Sequence, residues 1–564
     1  MSISSRGEAL SNGAWRTAPV ATWRSGSLRW GFVAVVAGIV GLATNSQAKA
    51  QITVKALLKN SVSDVNEDSD YAKDIQDAIT RFTNRDAKGA LGQLESAKKK
   101  NKQLPPADMM LAQMWLMANQ GGPARGALEE CIKENPTDPE AYLVLADLAF
   151  SDRQITASEL LFGKAKELTA DFKENPKRAN DFKGRAEAGL AAVAESREQW
   201  DLAKKYLEAW LKVVDPTPSL VKSALPNSAG AAAHDRLGRV LFHLDSPTAS
   251  SDASYTDAFE QFKLAVACDT KSVSPRIALA VLFEDAKQHE KAKELIALAV
   301  SHMGSGTDPD TIASNEATLL AAARWALDTN QGKEAFEYAK RAVDANPKSK
   351  RALEAKYYMG VAARMNGDTK AAEDALSEVY MAAPSNFAAS NQLAQVLVEQ
   401  QDPEKKQRGL EIAINNQAAV QGERNQRDPA RAIEAASTLG WAFYLLDRIN
   451  EADQVTQAVL NQSVNASPDI WYYRAKLFDY HSKRDDAISS LKVATNSRGF
   501  FIHRDDAKRL LEKLSSTQGS NSPGAGTTTT NGAGAGNTPA AGTGTGKTDD
   551  NPTKTDSATD KGTK

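Results

Sequence analysis

The residues best able to ligate a metal or attack a carbonyl are six histidines and two cysteines. Their spacing argues against both uses. His234 and His243 share one helix-period stretch nine residues apart. That spacing is two and a half turns, so the two rings face opposite sides. There is no His-Glu-x-x-His and no close His/Cys cluster. Cys131 and Cys268 fall in helical stretches several pairs apart, which excludes a disulfide-stapled fold and a cysteine-rich metal site. The pairs Asp485-Asp486 and Asp505-Asp506 stand at helix starts, where carboxylates complement the helix dipole. Lys98, Lys99 and Lys100 form a solvated charge run at a helix end. Ala541–Thr548, AGTGTGKT, matches a relaxed phosphate-loop pattern. A working phosphate loop needs a strand before it and a helix after it. The flanks AGNTPA and DDNPTK form neither, so the match is a product of Gly/Thr bias. These residues predict no enzyme, no metal site and no small-molecule cofactor.

Composition narrows the class further. The chain has 564 residues, with 25% charged and 41% hydrophobic, an ordinary soluble balance. Lys+Arg is 69 against Asp+Glu 71, a net charge of −2. A nucleic-acid binder needs a basic excess, so no nucleic acid is expected. The two ends read as segments outside the fold. Arg6, Arg16, Arg24 and Arg29 precede an apolar run, Trp30–Ala43, and Ala48-Lys49-Ala50 has signal-peptidase spacing. Residues 1–50 are read as a signal peptide cleaved between Ala50 and Gln51, leaving a mature charge of −6. The fourteen apolar residues make a helix of about 21 Å. That is short of the roughly 30 Å hydrocarbon core, so a membrane enters only if the segment stays uncleaved. Residues 51–70 are read as a linker. Residues 515–564 contain no Val, Ile, Leu, Met, Phe, Tyr or Trp and are read as a disordered tail.

Between these ends, residues 71–514 have helix-period apolar patterning and almost no strand alternation. Small residues recur near the start of every second helix: Ala90, Ala127, Ser158, Ala203, Ala258, Ala292, Ala335, Ala372, Gly409, Ala452 and Ala487. Their spacings run from 31 to 55, with a base near 34 and excesses that fit loop insertions. The insertions are Pro216–Gly230, Asp245–Ser254 and Met303–Ile312. One unit shows Tyr142, Leu145, Ala146, Phe162 and Ala165; another shows Met359, Gly360, Ala363, Ala372 and Pro384. A third shows Leu439, Gly440, Phe443 and Ala452, and a fourth Trp471, Ala475, Phe478 and Ala487. This pattern resembles the tetratricopeptide repeat (TPR) family over about eleven units. The resemblance implies an all-α, TPR-like α-solenoid, a right-handed superhelix of antiparallel helix pairs. The Arg504–Leu514 helix is expected to cap the last pair.

In TPR proteins the first helix of each pair lines a concave face. Carried onto this sequence, the face-lining positions are Arg239 and Phe242, Arg324, Tyr357 and Arg364, Asn391 and Gln395, Trp441 and Tyr444, and Tyr472 and Lys476. Aromatic and Arg side chains suit a protein or peptide segment as partner. The competing role of each is packing between neighbouring first helices. The expected function is a non-enzymatic exported bacterial scaffold in the periplasm or cell envelope. The alternatives are a spacer tethered by an uncleaved N-terminal helix and an accessory subunit of an envelope enzyme.

Overall fold

The computed structural model describes residues 52–59, 61, 66–245, 255–304, 313–422, 429–462, 467–497 and 500–516. The apolar run and its cleavage position, loop residues 246–254 and 305–312, the phosphate-loop match and the tail beyond 516 lie outside the described residues. The chain divides into two compact units, 1–511 and 512–564. Of the second, the described residues are the last turn of a helix.

The described residues form 24 helices and no strand. A short α1 (Val54–Leu58) precedes the first pair, α2 (Asp70–Thr83) and α3 (Ala87–Lys100). Next come α4 (Ala107–Met117) with α5 (Gly121–Glu134), and α6 (Pro139–Ser151) with α7 (Ile155–Asp171). The following pairs are α8 (Pro176–Ser196) with α9 (Trp200–Val214), and α10 (Ser228–Leu244) with α11 (Thr256–Cys268). Then come α12 (Pro275–Asp285) with α13 (His289–His302), and α14 (Asn315–Asp328) with α15 (Gly332–Ala345). They are followed by α16 (Ala352–Met365) with α17 (Thr369–Ala382), and α18 (Phe387–Val398) with α19 (Pro403–Gly422). The last pairs are α20 (Pro429–Leu445) with α21 (Ile449–Gln462), and α22 (Pro468–Tyr480) with α23 (Arg484–Asn496). α24 (Arg504–Ser516) ends the described chain. Each helix packs most closely on its pair partner and then on the next pair, which is the organisation of an all-α, TPR-like solenoid.

Local signals place the helix ends. Asp138 accepts from the Glu140 N–H with Pro139 in the first turn, and Asn175 accepts from Lys177 and Arg178 beside Pro176. Between most paired helices the chain turns through one left-handed residue. Asn119, Arg153, Lys287 and Asn330 have φ of 56°, 62°, 63° and 60°. The next residue's N–H returns to the carbonyl five back, as in Gln120 to Trp115 at 2.8 Å and Gln331 to Ala326 at 2.7 Å.

The close approach of paired helices rests on one helical position. Ala90, Ser158, Ala203, Ala292, Ala335, Ala372, Ala452 and Ala487 are each the fourth residue of the second helix, and each is 0% exposed. Ala127 departs from this register. It is half-buried, and Ala124, the fourth residue of α5, is the 0% exposed residue. The Gly-Gly-Pro start lets α5 begin at Gly121, which shifts the buried position three residues earlier. With Ala124 in place, the first two spacings are both 34. Gly409 holds the equivalent place in α19. A Cβ there would lie 2.6 Å from Val398 Cγ1 and 2.8 Å from the Ala394 carbonyl, so no larger residue fits.

Within the stretch read as a linker, α1 buries Val54, Leu57 and Leu58 in the core built by Ile75, Leu94 and Met110. The Asn175 amide closes this end, donating to the Ser61 carbonyl at 2.8 Å and the Gln103 carbonyl at 3.1 Å. Nearby, Asp108 in the first turn of α4 is 9% exposed. Burial, then the Glu134 charge, pushes its carboxyl up to about 6. A raised carboxyl favours the folded state while protonated, and that stabilisation fades as pH climbs through 6. Asp108→Asn is therefore expected to leave stability near pH 4 unchanged and to add about 1–2 kcal/mol near pH 8. Urea unfolding at both pH values checks this, and an equal gain at both would remove the electrostatic explanation.

Candidate functional site

The candidate residues all stand on first helices, but most of them reach their own neighbours. In α10, Arg239 is ion-paired to Asp235 at 2.9 Å, one turn back. Phe242 is 2% exposed, with its ring 4.9 Å from Tyr255 and 5.3 Å from Phe283. It is core. Arg324 in α14 keeps 39% of its side chain exposed, with Asp328 3.8 Å away. Tyr357 in α16 is half-buried, and burial, then the Glu434 charge, pushes its phenol up to about 12.

The C-terminal pairs join the rest into one network. Arg364 has a side chain 4% exposed. Its Nε donates to Glu399 Oε2 at 3.0 Å and its Nη2 to Glu399 Oε1 at 2.5 Å. Its Nη1 reaches Gln392 Oε1 at 2.8 Å and Gln395 Oε1 at 2.5 Å. Gln395 then donates to Thr438 at 2.6 Å. Asn391 is 5% exposed, and among the described residues its Oδ1 meets no donor. Trp441 is 4% exposed, donates from Nε1 to Glu399 Oε1 at 3.0 Å, and stacks on Tyr473 and Tyr444 at 4.4 and 5.3 Å. Tyr472 is 3% exposed, and its hydroxyl donates to Asp506 at 2.9 Å. Tyr444 and Lys476 are half-buried. Burial alone would raise the Glu399 carboxyl, but the Arg364 and His503 charges outweigh it and hold it well below the usual carboxylate range.

Sequence reasoning missed what fills this face. Between α23 and α24, Phe500–His503 runs without helical structure back across the first helices. The Phe501 N–H donates to Asn330 Oδ1 at 3.1 Å, 171 residues away, and Phe501 is 1% exposed. Phe500 packs against the core that runs from Phe242 to Ala362. The His503 ring stacks on Tyr472 at 4.8 Å, and its Nε2 lies 3.4 Å from Glu399 Oε1. α24 itself, expected as a cap, buries only Ala507 within 504–511; Leu510 and Leu511 are half-buried. The deep anchor is the segment that precedes it.

Two other clusters arise from segments distant in sequence. Asp215, His234 and Cys268 bring a carboxylate, an imidazole and a thiol within 4.8 Å of one another. Asp215 Oδ2 is 3.0 Å from His234 Nε2 and 3.3 Å from Cys268 Sγ, while Gln261 meets His234 Nδ1 at 2.7 Å. Burial, then the Asp215 carboxylate, pushes the Cys268 thiol up to about 12, so it is a protonated donor rather than a nucleophile. These groups satisfy one another and tie the end of α9 to α10 and α11. The loop before α10 presents Leu220, Val221 and Leu225 to solvent.

No family model matches the sequence, and no curated protein matches it. Solved structures similar to this chain include the yeast Tom70, with 12% identity, 80% of this chain and 97% of that chain covered, and a TM-score of 0.31. The apo form of the quorum sensor NprR from B. thuringiensis has 12% identity, covers 70% and 98%, and scores 0.33. A tetratricopeptide repeat protein from Parabacteroides merdae has 12% identity, covers 59% and 99%, and scores 0.28. The chain's own architecture, paired helices meeting at a recurrent buried small residue, is that of a TPR-like solenoid.

Proposed function

We propose that this protein is a non-enzymatic scaffold that holds a protein or peptide segment on its first-helix face, and that it is exported to the periplasm or cell envelope. The observation that carries the reading is the seating of Phe500–His503: the first helices receive an irregular, non-helical piece of protein through a backbone N–H, a buried phenylalanine and an imidazole beside a carboxylate. Export rests on the basic, apolar and Ala-x-Ala sequence of residues 1–50. The test places a photo-crosslinker at Tyr444 or Lys476 on first helices, and at Lys340 or Lys492 on second helices, in the full chain within the producing cells. One discrete partner labelled from the first-helix positions alone is the expected result. Equal labelling from both sets, or none, counts against the reading.

A further inference from the structure

We propose that Phe500–His503 is an internal ligand of the first-helix face. The external partner is then a peptide with two adjacent aromatic residues and an imidazole two positions on, which binds by displacing it. This rests on the scaffold reading and names the chemistry of its partner.

The receiving groups are assembled without the segment. Glu399 is fixed by the two Arg364 bonds and the Trp441 N–H before His503 approaches. The Tyr472 ring is held by its tilted contact with Trp441 at 5.9 Å and its edge contact with Tyr473 at 6.1 Å. Asn330 sits in a left-handed turn closed by backbone hydrogen bonds, so its side-chain acceptor is positioned by the fold. Such preorganised groups select a ligand by its own chemistry: a backbone donor, an apolar ring and an imidazole. The segment supplies one of each within four residues.

What holds the segment from behind is slight. Arg504 ties it to the end of α23, donating to the Thr495 carbonyl at 3.3 Å and the Ser497 carbonyl at 3.0 Å. Beyond that, Asp506 accepts from the Tyr472 hydroxyl at 2.9 Å, and residues 504–511 bury one alanine. Residues 504–511 therefore add little to the cost of release, which is set by Phe501 and His503 themselves. Its tether gives the segment an effective concentration of about millimolar. A competitor of the same chemistry therefore binds weakly to the intact chain and tightly once the segment is disabled.

The experiment uses a fluorescent peptide spanning residues 500–507 and the full chain, as wild type and as Phe501→Ala/His503→Ala. The expected result is at least tenfold tighter binding to the variant, abolished when the peptide carries the same two alanines. Should the variant fail to fold, hydrogen exchange on wild type with excess peptide decides: faster exchange at the Phe501 amide is expected, and unchanged exchange overturns the proposal. Equal binding to both proteins, or none to either while the variant stays folded, also overturns it. The crosslinking result at Tyr444 and Lys476 is independent of these outcomes, so the scaffold reading can stand when this one falls.

Discussion

Arg178→Ala is expected to lower the unfolding free energy by about 3–5 kcal/mol. Arg178 is 1% exposed, and its Nη2 lies 2.7 Å from both Asp138 Oδ2 and Glu140 Oε2. Gln113 donates to the other Glu140 oxygen at 3.0 Å, so the chain Arg178–Glu140–Gln113 links three consecutive pairs. Alanine would leave two carboxylates buried together without their cation, and breaking a buried pair costs far more than the pair itself contributes. Burial, the largest influence, already raises the Glu140 carboxyl, and Arg178 opposes it. Without Arg178 the folded-state value climbs further, so the variant takes up a proton on folding and its deficit shrinks as pH falls. Urea unfolding should show a larger loss at pH 8 than at pH 5. Asp138→Asn in the same chain should recover part of the loss at pH 8, since asparagine keeps the cap that accepts from the Glu140 N–H. A loss under about 1 kcal/mol, or one indifferent to pH, would show that the carboxylates find other partners.

The fold was legible because it repeats one steric demand. Wherever two paired helices come closest, only a small residue fits, and that demand marks the sequence every 34 residues or so. Ala127 misled because alanine three positions from the true contact looks the same in one dimension; the Gly-Gly-Pro that sets the helix start was the better guide. For the candidate residues the helix was legible and the side-chain partners were not. Trp441, Arg364 and Tyr472 sit on the first helices as expected, yet each side chain is engaged by a neighbouring element. The overlooked signal was the spacing of complementary groups one repeat apart: Arg364 to Glu399 across 35 residues, Glu140 to Arg178 across 38, Arg236 to Glu195 across 41. In a stacked array such pairs meet between adjacent first helices, and their one-repeat separation is visible in the sequence itself. The Asp215, His234 and Cys268 meeting left no such mark, because an irregular loop separates its parts. Neither did Phe500–His503, which belongs to no repeat and finds Asn330 only once the whole array is stacked.

Trp441→Ala is expected to cost about 3–5 kcal/mol, but locally. The indole is stacked between Tyr473 and Tyr444, and its N–H bonds Glu399, so truncation opens a large cavity and removes one of the bonds that position the acid. In a solenoid each unit leans on its neighbours, so the loss should fall on α20–α24 and spare the pairs held by Arg178. Hydrogen exchange should show protection across 429–516 falling roughly a hundred- to several-thousand-fold, with residues 107–214 unchanged. Trp441→Phe, which keeps a ring and loses the N–H, should cost only about 1 kcal/mol. The segment at 500–503 adds a contact that nearest-neighbour stacking lacks, because it joins the last pair to the turn at Asn330. Protection around Asn330 should therefore fall with the C-terminal pairs, although α14 and α15 do not touch Trp441. Loss confined to 429–516 would mean that the Phe501–Asn330 contact couples nothing. Uniform loss along the whole chain would mean that the array unfolds as one unit, and the local account of this tryptophan would be wrong.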